Sequence, residues 1–116
     1  MRKRSSSSVR VFYPKWSRED ILHHLKQNLP QLEARLPLLR VVLFGSYARG
    51  RATVASDVDL LVVYRGERRE DAYALVKQTL GIPRLEPHVY AEEEYIAVKE
   101  TVDRMAREGI PVYPYG

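Results

Sequence analysis

An α/β layer, a small sheet covered by amphipathic helices, is the fold this sequence predicts, and three observations predict it. Residues 41–44 and 58–64 are apolar runs of strand length, bounded by a Gly-Ser pair and by Arg65-Gly66. Ala72, Leu75, Val76, Thr79 and Leu80 keep helical spacing up to Gly81. A third strand-like segment follows at once, so the order strand, helix, strand fits a crossover in which the helix covers one face of the sheet.

Taken in order, the chain begins with a basic, serine-rich segment, residues 1–10, which predicts a solvated arm ahead of a single domain at 11–116. Residues 9–13 alternate enough for a short edge strand that Pro14 ends. Ser17 and Asp20 have the spacing of a capping box and open a helix with Ile21, Leu22, Leu25 and Leu29 on one face. Pro30 is expected to break or restart that helix, with Leu32, Leu36 and Leu39 extending the apolar supply until Pro37 turns the chain into the first strand. His23 and His24 are adjacent, so they cannot present one face to a metal and read as surface residues.

Beyond the second strand, residues 65–71 are a charged loop leading into the helix just described. Residues 85–90 form the third strand, with Pro87 placing it at an edge or bulge. Alternation sets Glu86, His88 and Tyr90 on one face and Leu85 and Val89 on the other. A last helix, from about Glu92 to Arg107, carries Tyr95, Ile96, Val98, Val102 and Met105 and stops at Gly109. The final IPVYPY is too rich in proline for a central strand, although Val112 and Tyr113 can lie along an edge. The tyrosines at 90, 95, 113 and 115 read mostly as packing.

The net charge of +4 is confined to one end. Four of the 19 basic residues lie in the first ten positions, and the rest equal the 15 acidic residues in number. Nucleic-acid binding is therefore expected only weakly, through the tail, and with strong salt dependence. There is no cysteine, which excludes disulfides and thiolate metal sites, and no apolar run of membrane-spanning length. A cytoplasmic protein without membrane contact is the expectation.

Chemistry concentrates between the first two strands. Asp59 interrupts an apolar run, and a buried, unpaired charge costs several kcal/mol unless a metal or partner neutralises it, roughly the scale of a lost ion pair. Asp57 and Asp59 are two apart, so a strand sends both carboxylates to one face. Their mutual repulsion suits a hard divalent cation, Mg²⁺ or Mn²⁺. The plainer alternative has Asp57 capping a turn and Asp59 paired with an arginine. Upstream, Gly45 and Ser46 end the first strand, and Tyr47, Ala48 and Arg49 can begin a short helix. Gly45 permits close backbone approach to a ligand, while Ser46 offers a cap and a hydroxyl. The glycine spacings of a P-loop and of a dinucleotide fingerprint are both absent.

Jointly, FGSYARG, the ten residues between Ser46 and Asp57, and SDVDL resemble the signature of the polymerase-beta-like nucleotidyltransferase superfamily, particularly its minimal nucleotidyltransferases. The resemblance covers roughly residues 41–64, with a looser echo at 82–95. It implies an α/β (α+β) fold with a small mixed sheet of three to five strands and helices mainly on one face. It also implies that Gly45 and Ser46 bind nucleotide phosphates and that Asp57 and Asp59 hold the metal. Glu86 is the candidate third carboxylate, as metal ligand or general base, although the family more often has aspartate there and Glu92, Glu93 and Glu94 are rivals. Arg49, or Arg51, steadies the phosphates in this reading. The implied substrates are a nucleoside triphosphate, ATP above others, and a hydroxyl acceptor, with Mg²⁺ or Mn²⁺ as cofactor.

Larger relatives carry an acceptor-binding domain for which this chain has no room. The resemblance therefore points to a small helical HEPN-type protein as partner and acceptor, in a toxin–antitoxin pair. A non-catalytic nucleotide-binding or partner-occluding module of the same fold is the alternative. A sheet edge at residues 9–13 or 85–90 offers a surface for a homodimer.

Overall fold

The computed structural model describes residues 16–114; the predicted strand at 9–13, the basic arm and Tyr115 lie outside them. Three helices and four strands follow in the order α1 (Arg18–Arg35), β1 (Leu38–Phe44), β2 (Val58–Tyr64), α2 (Ala72–Leu80), β3 (Leu85–Ala91), α3 (Glu92–Met105) and β4 (Ile110–Tyr113). They build one mixed sheet with strand order β3-β2-β1-β4. The β1–β2 and β1–β4 pairs are antiparallel, and β2–β3, joined through α2, is parallel. Among the described residues no helix is long and apolar enough to cross a membrane.

The capping box forms as its spacing predicts: Asp20 N–H donates to Ser17 Oγ (3.0 Å) and Ser17 N–H to Asp20 Oδ2 (2.9 Å). Contrary to expectation, α1 does not break at Pro30 but runs on to Arg35. A mid-helix proline costs ~3 kcal/mol. Leu29, Leu32 and Leu36, all fully buried, share the face that continuity creates, and burying each contributes about 1.5–3 kcal/mol. Tertiary burial thus outweighs the local penalty. The same continuity lets β1 begin at Leu38, three residues before the expected Val41, with a register irregularity between Leu38 and Arg40.

The sheet has two unlike faces. Val41, Leu43, Val58, Leu60, Val62, Tyr64 and Leu85 pack with α1 and α2 in the main core. Val42, Leu61 and Val63 form a smaller cluster with Val102 and Ala106 at the end of α3. Two helices therefore cover one face, while α3 lies on the other, beside the strand positions that carry the acids.

Helix α3 departs from the expected apolar face. Its backbone leaves helical geometry at Val98 (φ −119°, ψ 19°), and Ile96 and Val98 are exposed, leaving Val102 as the buried anchor. His24 is likewise no free surface histidine: its Nε2–H donates to the Leu80 carbonyl (2.5 Å) and Trp16 packs edge-on against the ring, joining α1 to the end of α2.

Candidate functional site

The site grows from the end of β1. Phe44 is paired with Asp59 across the β1–β2 ladder, so Gly45 leaves the sheet beside the Asp59 side chain. Gly45 has φ +77°, a conformation L side chains rarely adopt, and a Cβ built there would overlap Asp59 Oδ2. Glycine is required at this point both for the turn and for the carboxylate.

Residues 45–50 fold into a compact turn rather than the expected short helix. Arg49 N–H bonds to the Gly45 carbonyl (3.1 Å) and Arg51 N–H to the Ser46 carbonyl (2.8 Å). Among the described residues the N–H groups of Ser46, Tyr47 and Ala48 have no protein acceptor, and successive N–H groups left in this way are the kind that bind anions in other turns. The turn is tied to α1 by Arg18, whose guanidinium donates to the Ala48 carbonyl (3.1 Å), and by the buried Tyr47, whose hydroxyl donates to the Trp16 carbonyl (3.3 Å). Ser46 is half-buried; Arg49 and Arg51 are exposed and make no ion pair among the described residues.

The acids sit at the mouth of β2 and β3. Asp59 and Glu86 are register partners on these parallel neighbours, so both leave the same face of the sheet from adjacent positions. Asp57 immediately precedes β2. Burial pushes the Asp59 carboxyl above the ordinary carboxylate range; His88 opposes the shift, and the charges of Asp57 and Glu86 reinforce it. The charges of both other predicted acids thus reach the Asp59 carboxylate.

Two features complete the picture. His88 Nε2 lies 3.7 Å from Asp59 Oδ1, too far for a hydrogen bond, and is buried with no partner among the described residues. Its ring rests against Phe44 with centroids 5.1 Å apart. Asp57, not Asp59, is the acid paired with an arginine: Arg84 Nη2 lies 3.2 Å from Asp57 Oδ1. The acids line the same edge without converging, for among the described residues no three Asp, Glu or His side chains gather closely enough to hold a metal ion. Glu92, Glu93 and Glu94 are engaged elsewhere. Glu92 and Glu93 accept from the N–H groups of Gly66 and Arg68, and Glu94 caps α3 at Ala91 N–H.

The donor set still fits a hard divalent cation. It is made of carboxylate oxygens, of which one or two together with substrate phosphates commonly hold Mg²⁺. Gly45 lacks the Cβ that would overlap Asp59 Oδ2, and the buried Nε2 of His88 lies alongside without a hydrogen-bond partner among the described residues. A glycine turn pressed against Asp59, with Asp57 and Glu86 along the same edge of a mixed sheet, is an arrangement suited to phosphate chemistry.

Comparison with known proteins then identifies the family. The nucleotidyltransferase domain profile matches residues 22–111, most of the chain, and the chain belongs to that family. A Methanocaldococcus jannaschii protein, provisionally named a protein adenylyltransferase, is 48% identical over 42 residues, covering 34% of this chain and 29% of that protein. The crystal structure of a provisionally named nucleotidyltransferase from Sulfolobus solfataricus shares the fold, with a TM-score of 0.57 at 21% identity over 81% of this chain and 80% of that one.

Proposed function

We propose that this chain transfers a nucleoside monophosphate, AMP from ATP, to a hydroxyl acceptor. The observation that carries the proposal is the close approach of Gly45 to Asp59, which sets the glycine turn beside the edge that carries the acids. The N–H donors of residues 46–48 and the Ser46 hydroxyl hold the outer phosphates. Asp57 and Asp59, with Glu86, would hold Mg²⁺ or Mn²⁺; when bound, the ion neutralises charge that builds on the phosphate oxygens. The acceptor oxygen forms its bond to the α-phosphorus as the bond to the β-phosphate oxygen breaks. Pyrophosphate leaves, and the hydroxyl proton passes to Glu86 or Asp59.

The acceptor in this proposal is a hydroxyl on a small helical HEPN-type protein, which the nucleotidyltransferase would silence by adenylylation. The partial likeness to a protein provisionally named a protein adenylyltransferase supports a protein acceptor. ATP labelled at the α-phosphate, incubated with the chain, Mg²⁺ and its partner, should label the partner, and the Asp57→Asn, Asp59→Asn double variant should not. Absence of label with the native chain would refute the proposal.

A second reading, a nucleotide-binding module that occludes its partner without catalysis, is favoured by the acids not converging and by the engagement of Asp57 with Arg84. It predicts partner inhibition that persists in the double variant.

A further inference from the structure

The loop from the phosphate turn to β2 has to deliver Asp57 in a fixed position, yet it is largely exposed. Its internal bonds are local: Thr53 N–H to Ser56 Oγ (2.9 Å), Ala55 N–H to Thr53 Oγ1 (3.3 Å) and Ser56 N–H to the Thr53 carbonyl (3.0 Å). What fixes its end comes from across the sheet. Arg84 Nε donates to the Ser56 carbonyl (3.1 Å) and Nη2 to the Ala55 carbonyl (2.7 Å), and the same Nη2 meets Asp57 Oδ1. The Arg84 carbonyl also accepts the N–H of Val58, the first residue of β2 (2.9 Å).

Arg84 occupies an unusual place for its side chain. Leu85 N–H bonds to the Ile82 carbonyl (3.2 Å), closing a four-residue turn with Pro83 second and Arg84 third. Arg84 has φ +61°, the sole positive φ outside glycine among the described residues. Turns of this kind, with proline second and positive φ third, normally take glycine or asparagine at the third place. Backbone strain at a non-glycine residue is a pointer to function when the side chain does something glycine cannot.

We propose that Arg84 is a positioning residue for Asp57: its planar fork clamps two carbonyls of the loop and holds the carboxylate by Oδ1, so that Oδ2 is presented to the divalent cation. The inference rests on Asp57 being a ligand. A carboxylate oriented in this way loses 10–100-fold in metal affinity when its outer partner is removed, by the usual scale for such partners. Lysine does not substitute, since one ammonium lacks the fork that reaches both carbonyls and the carboxylate.

The test is Mn²⁺ binding to the full chain with a non-hydrolysable ATP analogue, followed by electron paramagnetic resonance and paired with thermal unfolding. Arg84→Gly relieves the strained φ, so its Tm should hold or rise while Mn²⁺ affinity falls about 10–100-fold. Arg84→Lys should lose comparably, and Asp57→Asn should bind no better than Asp57→Asn with Arg84→Gly. Native affinity in Arg84→Gly, or tighter binding, overturns the proposal, as does full rescue by lysine. No Mn²⁺ binding by the native chain would instead overturn the metal reading on which the proposal rests.

Discussion

Gly45→Ala probes the contact on which the site is built. Alanine at φ +77° costs about 1–2 kcal/mol from the left-handed backbone alone. For a domain of this size that lowers Tm by about 4–16 °C, at about 4–8 °C per kcal/mol. The new Cβ also overlaps Asp59 Oδ2 and lies 3.1 Å and 3.2 Å from the Asp59 Cγ and Cβ, so the carboxylate must swing away from the turn. A displacement approaching 1 Å at a reacting centre costs about 10²-fold in rate. Gly66→Ala supplies the control, since Gly66 has φ +91° with nothing within 4 Å of a built Cβ. Both variants should melt earlier in a thermal scan, but only Gly45→Ala should lose about 100-fold in nucleotidyl transfer. Equal activity of the two would refute the role given to this contact.

Removing the Asp59 charge should help folding while ending activity. Its folded pKa is raised, so the proton is bound more tightly in the native state; stability is fullest below the ordinary carboxylate pKa and falls as pH rises through the shifted value. Asp59→Asn should therefore raise Tm at pH 7, with the gain fading towards pH 4 in a pH series of melts. Glu86→Gln should weaken Mn²⁺ binding and slow transfer by about 10²-fold or more if Glu86 completes the acid set; native values for both would remove it from the site. Pro30 is exposed within α1, so Pro30→Ala, which restores a helix N–H, should stabilise by up to about 3 kcal/mol in denaturant unfolding without altering activity.

What the sequence displays plainly is local. The Ser17–Asp20 box, the bounds of β2, and α2 with its left-handed Gly81 stop depend on neighbours along the chain, and the structure matches them. Pro30 misleads because its penalty is local whereas the leucine burial that overrides it is tertiary. Ile96 and Val98 keep helical spacing, but the break at Val98 turns that stretch of α3 from the sheet. At the site, the Gly-Ser turn and the Asp pair are visible as a pattern, and alternation gives the face of Glu86. That Glu86 lies in register with Asp59 follows only from the parallel pairing of β2 and β3. The role of Arg84 is not legible along the chain because its partners lie 27 to 29 residues away. The usable signal was small: a Pro83 turn with arginine where glycine is usual.

The central claim, that the Gly45 turn and the Asp57–Asp59 pair form one metal-dependent nucleotide site, is tested most directly by titrating ATP into the chain by calorimetry, with and without Mg²⁺. Binding should require Mg²⁺ and disappear in the Asp57→Asn, Asp59→Asn variant. ATP binding that is indifferent to Mg²⁺ and unchanged in that variant would contradict it.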